Sequence, residues 1–130
     1  MINWKRKFET LEFYTLGGSD TNDLQYARVP TITNADCSSK FTNFALTSCD
    51  GTTYLVNSVT SAMVCSAYLG RDFCNGDKGG PLVCNDGFDN AVIVGVISWG
   101  SCSADANNPS VSARLTPALS WIQNNLVMEF

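Results

Sequence analysis

The chain contains no histidine. Imidazole is the commonest side-chain base at neutral pH, so a nucleophile in this chain lacks its usual partner. Charge is sparse as well. Charged residues make up 15% of the 130 residues, with 8 Lys plus Arg against 12 Asp plus Glu, for a net charge of -4. The only basic run, Lys5-Arg6-Lys7, reads as a solvated loop, and no basic stripe exists to hold nucleic acid. Long apolar runs are missing too. Residues 91–99 form one of the longest, far short of the ~20 residues of a membrane-spanning helix, so no membrane role is expected. Met1-Ile2-Asn3-Trp4 is not followed by the apolar segment of a signal peptide. There is no internal repeat, low-complexity tract or linker, so residues 1–130 read as a single domain. No cofactor or metal is expected.

What is present describes a globular, β-rich chain. Hydrophobic residues reach 45%, enough for one core that buries roughly two-thirds of the extended surface. Short β-branched or aromatic-rich segments predict strands over 24–29, 62–67, 81–84, 92–99 and 110–115. Asn85-Asp86-Gly87 marks a hairpin turn between two of them. Thr33 or Asn34 caps a short helix through about Phe41. Thr116, with Pro117 at the first helical position, opens a C-terminal helix through about Leu126. Its apolar residues Ala118, Leu119, Ile122 and Leu126 share one face. The expected class is all-β with a short internal helix and a C-terminal helix.

Six cysteines in so short a chain suggest an oxidising, extracellular compartment. That conflicts with the missing signal. The conflict resolves if the chain is a fragment: a truncated product or gene model, or a chain whose export signal lies upstream.

Residues 72–84, D-F-C-N-G-D-K-G-G-P-L-V-C, carry the most specific pattern. Glycines on both sides of Lys78 let the backbone bend sharply and approach a substrate. Acyl transfer needs such a loop, with a nucleophile, a base in reach and N–H donors aimed at the developing oxyanion. The stretch resembles the active-site segment of the chymotrypsin-like (trypsin family) serine peptidases, D-S-C-x-G-D-S-G-G-P-L-V-C. Ile97-Ser98-Trp99-Gly100 resembles the substrate-binding strand I-S-W-G, and Cys102 follows as in the family. Residues 109–115 (P-S-V-S-A-R-L) resemble P-G-V-Y-A-R-V, and 116–126 resemble the closing segment. Residues 24–37 resemble the strand and short helix that precede the specificity loops, so the likeness covers roughly 3–126.

The resemblance implies the second six-stranded barrel of a trypsin-like double β-barrel. That barrel is incomplete, because Asn3-Trp4 matches a Gly-Trp pair lying after most of the opening strand. The first barrel, which supplies the histidine and aspartate of the triad, is absent from the likeness. Lys78 stands at the nucleophile position, and the N–H groups of Gly76 and Lys78 occupy the oxyanion-hole positions. A lysine beside Asp77 is held in its charged form and makes a poor nucleophile. Asp72 matches the acid at the base of the specificity pocket that selects Lys or Arg. Ser98, Trp99, Gly100 and Ser110 match its walls. Ser110 replaces the usual glycine and Ser112 the usual tyrosine, so Ser110 narrows the pocket and can bond Asp72. Asp77, without a zymogen-derived amino terminus to pair with, implies a mobile loop.

Two disulfides are implied by the likeness, Cys37–Cys65 and Cys74–Cys102. Cys84 points into the barrel without a partner, and Cys49 lies unpaired on a long surface loop spanning 44–61. The resulting expectation is a catalytically inactive serine peptidase homologue that binds basic peptides or a protein partner. It would self-associate or aggregate through its uncovered barrel face. The alternatives are a secreted cysteine-rich binding module using the long loop and, more remotely, one half of a two-chain endopeptidase.

Overall fold

The computed structural model describes residues 26–41, 44–47, 53–56, 59–70, 72–73, 76–88, 90–100 and 105–126. Short strands rich in apolar and β-branched residues assemble into a five-stranded antiparallel sheet. The strands are β1 (Thr31–Ile32), β4 (Met63–Ser66), β5 (Pro81–Asn85), β6 (Ala91–Trp99) and β7 (Ser110–Arg114). Their spatial order is β1-β4-β7-β6-β5, and every pairing is antiparallel. Leu82, Val83 and Cys84 are all buried, so β5 is covered on both faces. The fold is all-β with an incomplete antiparallel sheet, a short internal helix and a C-terminal helix.

The long connection after the first helix is not a simple loop. It holds a hairpin of β2 (Phe44–Thr47) and β3 (Thr53–Val56), paired from Phe44↔Val56 to Thr47↔Thr53. Asp50-Gly51 between them is the sequence signal for such a turn, and the β-branched and aromatic residues that follow favour a strand. The strand expected over 24–29 is absent from its described part: residues 26–30 make only an isolated bridge at Ala27. Pro30 follows and has no amide to donate to a ladder.

Helix α1 (Asn34–Lys40) begins where Thr33 accepts a hydrogen bond from the Asp36 amide at 3.1 Å. Asp36 in its first turn and Lys40 in its last complement the helix dipole. One side of α1 carries Cys37 and leads to Phe41, which form the core with Cys65 and Val111. Ile32, Val59, Met63 and Trp99 pack around this cluster. The Phe41 and Trp99 rings meet at 5.0 Å between centroids. A disulfide joins Cys37 on α1 to Cys65 on β4, with 6.3 Å between their Cα atoms. The Arg114 guanidinium donates through Nε (3.1 Å) and Nη2 (2.9 Å) to the Met63 carbonyl, clasping β7 to the start of β4.

Thr116–Ala118 form a 3-10 turn with Pro117 near its start, and α2 (Leu119–Asn125) continues from it. Of the apolar face expected here, Ala118 and Ile122 are half-buried. No residue of α2 is buried, and Leu119, Trp121 and Leu126 are largely exposed. Trp121 lies off that face, so the exposed members of the face itself are Leu119 and Leu126.

Candidate functional site

The loop entering β5 is shaped by two glycines in the left-handed region, Gly76 (φ 104°) and Gly79 (φ 91°), where other residues would be strained. Backbone bonds of 2.9 Å fasten it. Gly79 N–H donates to the Ile97 carbonyl, Ile97 N–H to that of Gly80, and Gly80 N–H to that of Asp77. This framework turns Asp77 inward, where it is buried, and leaves Lys78 exposed. The amides of Gly76 and Lys78 make no hydrogen bond to another described residue. Gly76 is exposed as well.

Three segments converge beside this loop. Asp72, 9% exposed, accepts at Oδ1 from the Phe73 amide (2.9 Å) and from the Ser110 hydroxyl. Ser110 and Ser112 on β7 are both buried. Gly100 lies so close that a Cβ there would stand 2.9 Å from Ser110 Oγ, 3.2 Å from Ser110 Cα and 3.4 Å from Phe73 Cζ. Residues 72–73, 100 and 110 are therefore packed against one another. The β6–β7 register shifts between Ile97 and Trp99, which leaves Ser98 out of the ladder and exposed, while Trp99 leans on Phe41.

Asp72 also reaches the wall of a shallow depression shared with Val29, Ser66, Ala67, Tyr68, Asp105 and Asn108. The Asp105 carboxylate is engaged by its own loop, by the Asn107 amide at 2.9 Å and the Asn108 side chain at 3.1 Å. No group of three metal-ligating side chains occurs among the described residues. Cys84 on β5 is a free, buried thiol whose pKa is pushed up to about 11 by burial. Cys49, Cys74 and Cys102 lie outside the described residues.

The structure thus brings Asp72, Gly100 and Ser110 together and leaves Lys78 exposed at the surface. Sequence reasoning missed Phe73. It is 2% exposed, bonds Asp72 through its amide and closes on Gly100 with its ring. The available signal was the phenylalanine of D-F-C where the related segment reads D-S-C.

The profile of the family described as Trypsin matches residues 13–122. Alkaline trypsin C of Manduca sexta is 40% identical over 112 residues, 84% of this chain and 38% of that protein. Coagulation factor XII of Cavia porcellus is 36% identical over 129 residues, 96% of this chain and 18% of that protein. Trypsin-10 of Gadus morhua is 32% identical over 115 residues, 86% of this chain and 40% of that protein. The chain spans about two-fifths or less of the length of these curated relatives. With the G-D-K-G-G-P loop, the I-S-W-G strand and a profile match over most of its length, this chain belongs to the trypsin family.

Proposed function

We propose that this chain is a trypsin-family domain that does not hydrolyse peptides and acts by binding a protein partner. The single observation that carries the reading is Lys78. It stands exposed on the loop 76–80, at the position of the family's nucleophilic serine. The chain also holds no histidine to serve as its base. Gly76 and Lys78 retain the oxyanion-hole positions, and an oxyanion hole without nucleophile and base gives little useful rate. We read the chain as the second barrel of the family's double barrel, in an extracellular setting that suits its disulfide.

The partner we favour is a protein rather than a single basic side chain. Asp72, the remnant of the specificity acid, is held by Ser110 and packed under Gly100 and Phe73. A lysine or arginine would have to displace Ser110 to reach that oxygen. Exposed apolar side chains, by contrast, are plentiful on α2 and on the hairpin of β5 and β6, and exposed apolar area of this kind marks association surfaces.

The test is hydrolysis of arginine and lysine esters by the purified chain. No turnover is expected. Lys78→Ser should remain inactive, because serine alone lacks a base. Turnover that follows the protein through purification and disappears in Lys78→Ala would overturn the reading.

A further inference from the structure

The loop before β5 carries three donors that no described residue engages. The Gly76 and Lys78 amides are two of them, and both residues are exposed. The third is the Lys78 ammonium, which makes neither a hydrogen bond nor an ion pair to a described residue. These donors stand on a fixed frame. The Gly80 amide closes a β-turn on the Asp77 carbonyl at 2.9 Å, with Lys78 and Gly79 at its corners. Gly79 supplies the positive φ, 91°, that such a turn requires at its third residue. Bonds from Gly79 N–H to the Ile97 carbonyl and from Ile97 N–H to the Gly80 carbonyl then tie the turn to β6. Unengaged N–H groups on a fixed backbone, with an ammonium on the same turn, suit an anion, because little ordering remains to be done on binding.

Charge narrows the kind of anion. Lys78 is the single cation of the loop 76–80, its neighbour Asp77 is an acid, and the whole chain carries a net charge of -4. One ammonium matches a singly charged carboxylate, whereas a phosphate dianion calls for a cluster of cations. Exposure narrows its source. A free carboxylate gains little from an open ammonium in water. A carboxylate at the end of a chain brings further contacts with it. Open surface for that chain lies beside the loop: Ser98, exposed and out of the β6–β7 ladder, follows Ile97, which the loop grips.

We propose that the Lys78 loop captures the C-terminal carboxylate of a peptide or protein, through Lys78 Nζ and the amides of Gly76 and Lys78. The proposal rests on the partner-binding reading above and names the ligand chemistry. The two fail in different readouts: the reading falls if the chain turns over esters, the proposal if the chain shows no preference for a free carboxylate.

The probe is an array of random octapeptides with free C-termini, each paired with its C-terminal amide, screened with the full chain. Hits measured by calorimetry should bind as acids about tenfold or more tighter than as amides, the usual worth of a charge-assisted hydrogen bond. Lys78→Ala should remove that preference, and Lys78→Arg, which keeps a cation, should retain most of it. Acetate and inorganic phosphate should compete only at concentrations far above those of the peptides. Far-UV circular dichroism of both variants should match the parent, since Lys78 is exposed and bonds no described residue. The proposal is overturned if no peptide binds, if acids and amides bind alike, or if Lys78→Ala keeps the preference. Acetate competing as well as the peptides would assign the loop to free carboxylates, and phosphate competing as well would assign it to phosphoryl groups; either result overturns it too.

Discussion

The Ser110 hydroxyl donates a hydrogen bond to Oδ1 of Asp72, the oxygen that also accepts from the Phe73 amide. One serine on β7 thus occupies the carboxylate that we propose as the counterpart of the acid in trypsin-like specificity pockets. Because Gly100 packs directly on Ser110, the contact is enclosed on both sides.

Ser110→Gly should reopen the acid. The variant is expected to bind an arylamidinium such as benzamidine, measured by calorimetry, where the parent chain shows no detectable heat. It should also lose about 1–3 kcal/mol of stability, the usual consequence of removing one partner from a buried polar group. Benzamidine binding by the parent as tight as by the variant would show that Ser110 does not block the site.

Gly95 and Gly100 are both crowded, by different kinds of atom. A Cβ on Gly95 would meet the Ala113 carbonyl at 3.0 Å, a backbone atom that cannot swing away. Gly95→Ala should therefore cost about 1–3 kcal/mol in urea denaturation. A Cβ on Gly100 first meets Ser110 Oγ at 2.9 Å, which can rotate only by abandoning Asp72. If Gly100→Ala proves neutral, the Ser110–Asp72 contact contributes little to stability.

Burial raises the Cys84 pKa from 9.0 to about 11. The native state then keeps its thiol proton over a pH range where the unfolded chain has lost it. The stabilisation is complete below about pH 9 and falls as pH rises toward 11, by on the order of 2 kcal/mol. Urea melts at pH 8 and pH 10.5 should show this loss in the parent and a smaller one in Cys84→Ala. In the native state Cys84 should alkylate slowly at pH 8, since both access and thiolate fraction are low. An equal loss in parent and variant would place the titrating group elsewhere.

The Cys37–Cys65 bridge closes a loop with a sequence separation of 28. In the chain-entropy model its removal costs about 3–4 kcal/mol. A Cys37→Ala/Cys65→Ala double variant should show that loss in denaturant titration, and with it loosening of α1, which is tied to β4 through this bond. Mass mapping of the unreduced chain should also give Cys74–Cys102, with Cys49 open to rapid alkylation. A Cys49–Cys84 bridge in the same map would contradict the burial of Cys84 as a free thiol.

Sequence by itself determined the family and the fold class. Local signals suffice for these: the glycines around Lys78 demand a particular backbone, Thr33 announces a helix start, and Asn85-Asp86-Gly87 announces a turn. The β2–β3 hairpin is not legible in the sequence, where 44–61 reads as a long surface loop, although Asp50-Gly51 carries a turn signal. Only the tertiary structure decided that the Phe73 ring closes on Gly100 beside the Ser110–Asp72 pair, because that contact spans segments far apart in the chain and no periodicity records which side chains meet. It also decided that Leu119 and Leu126 of the apolar stripe stay exposed while Ala118 and Ile122 are half-buried. Helical spacing dictates which residues share a face, whereas burial depends on whether another part of the fold comes to cover it.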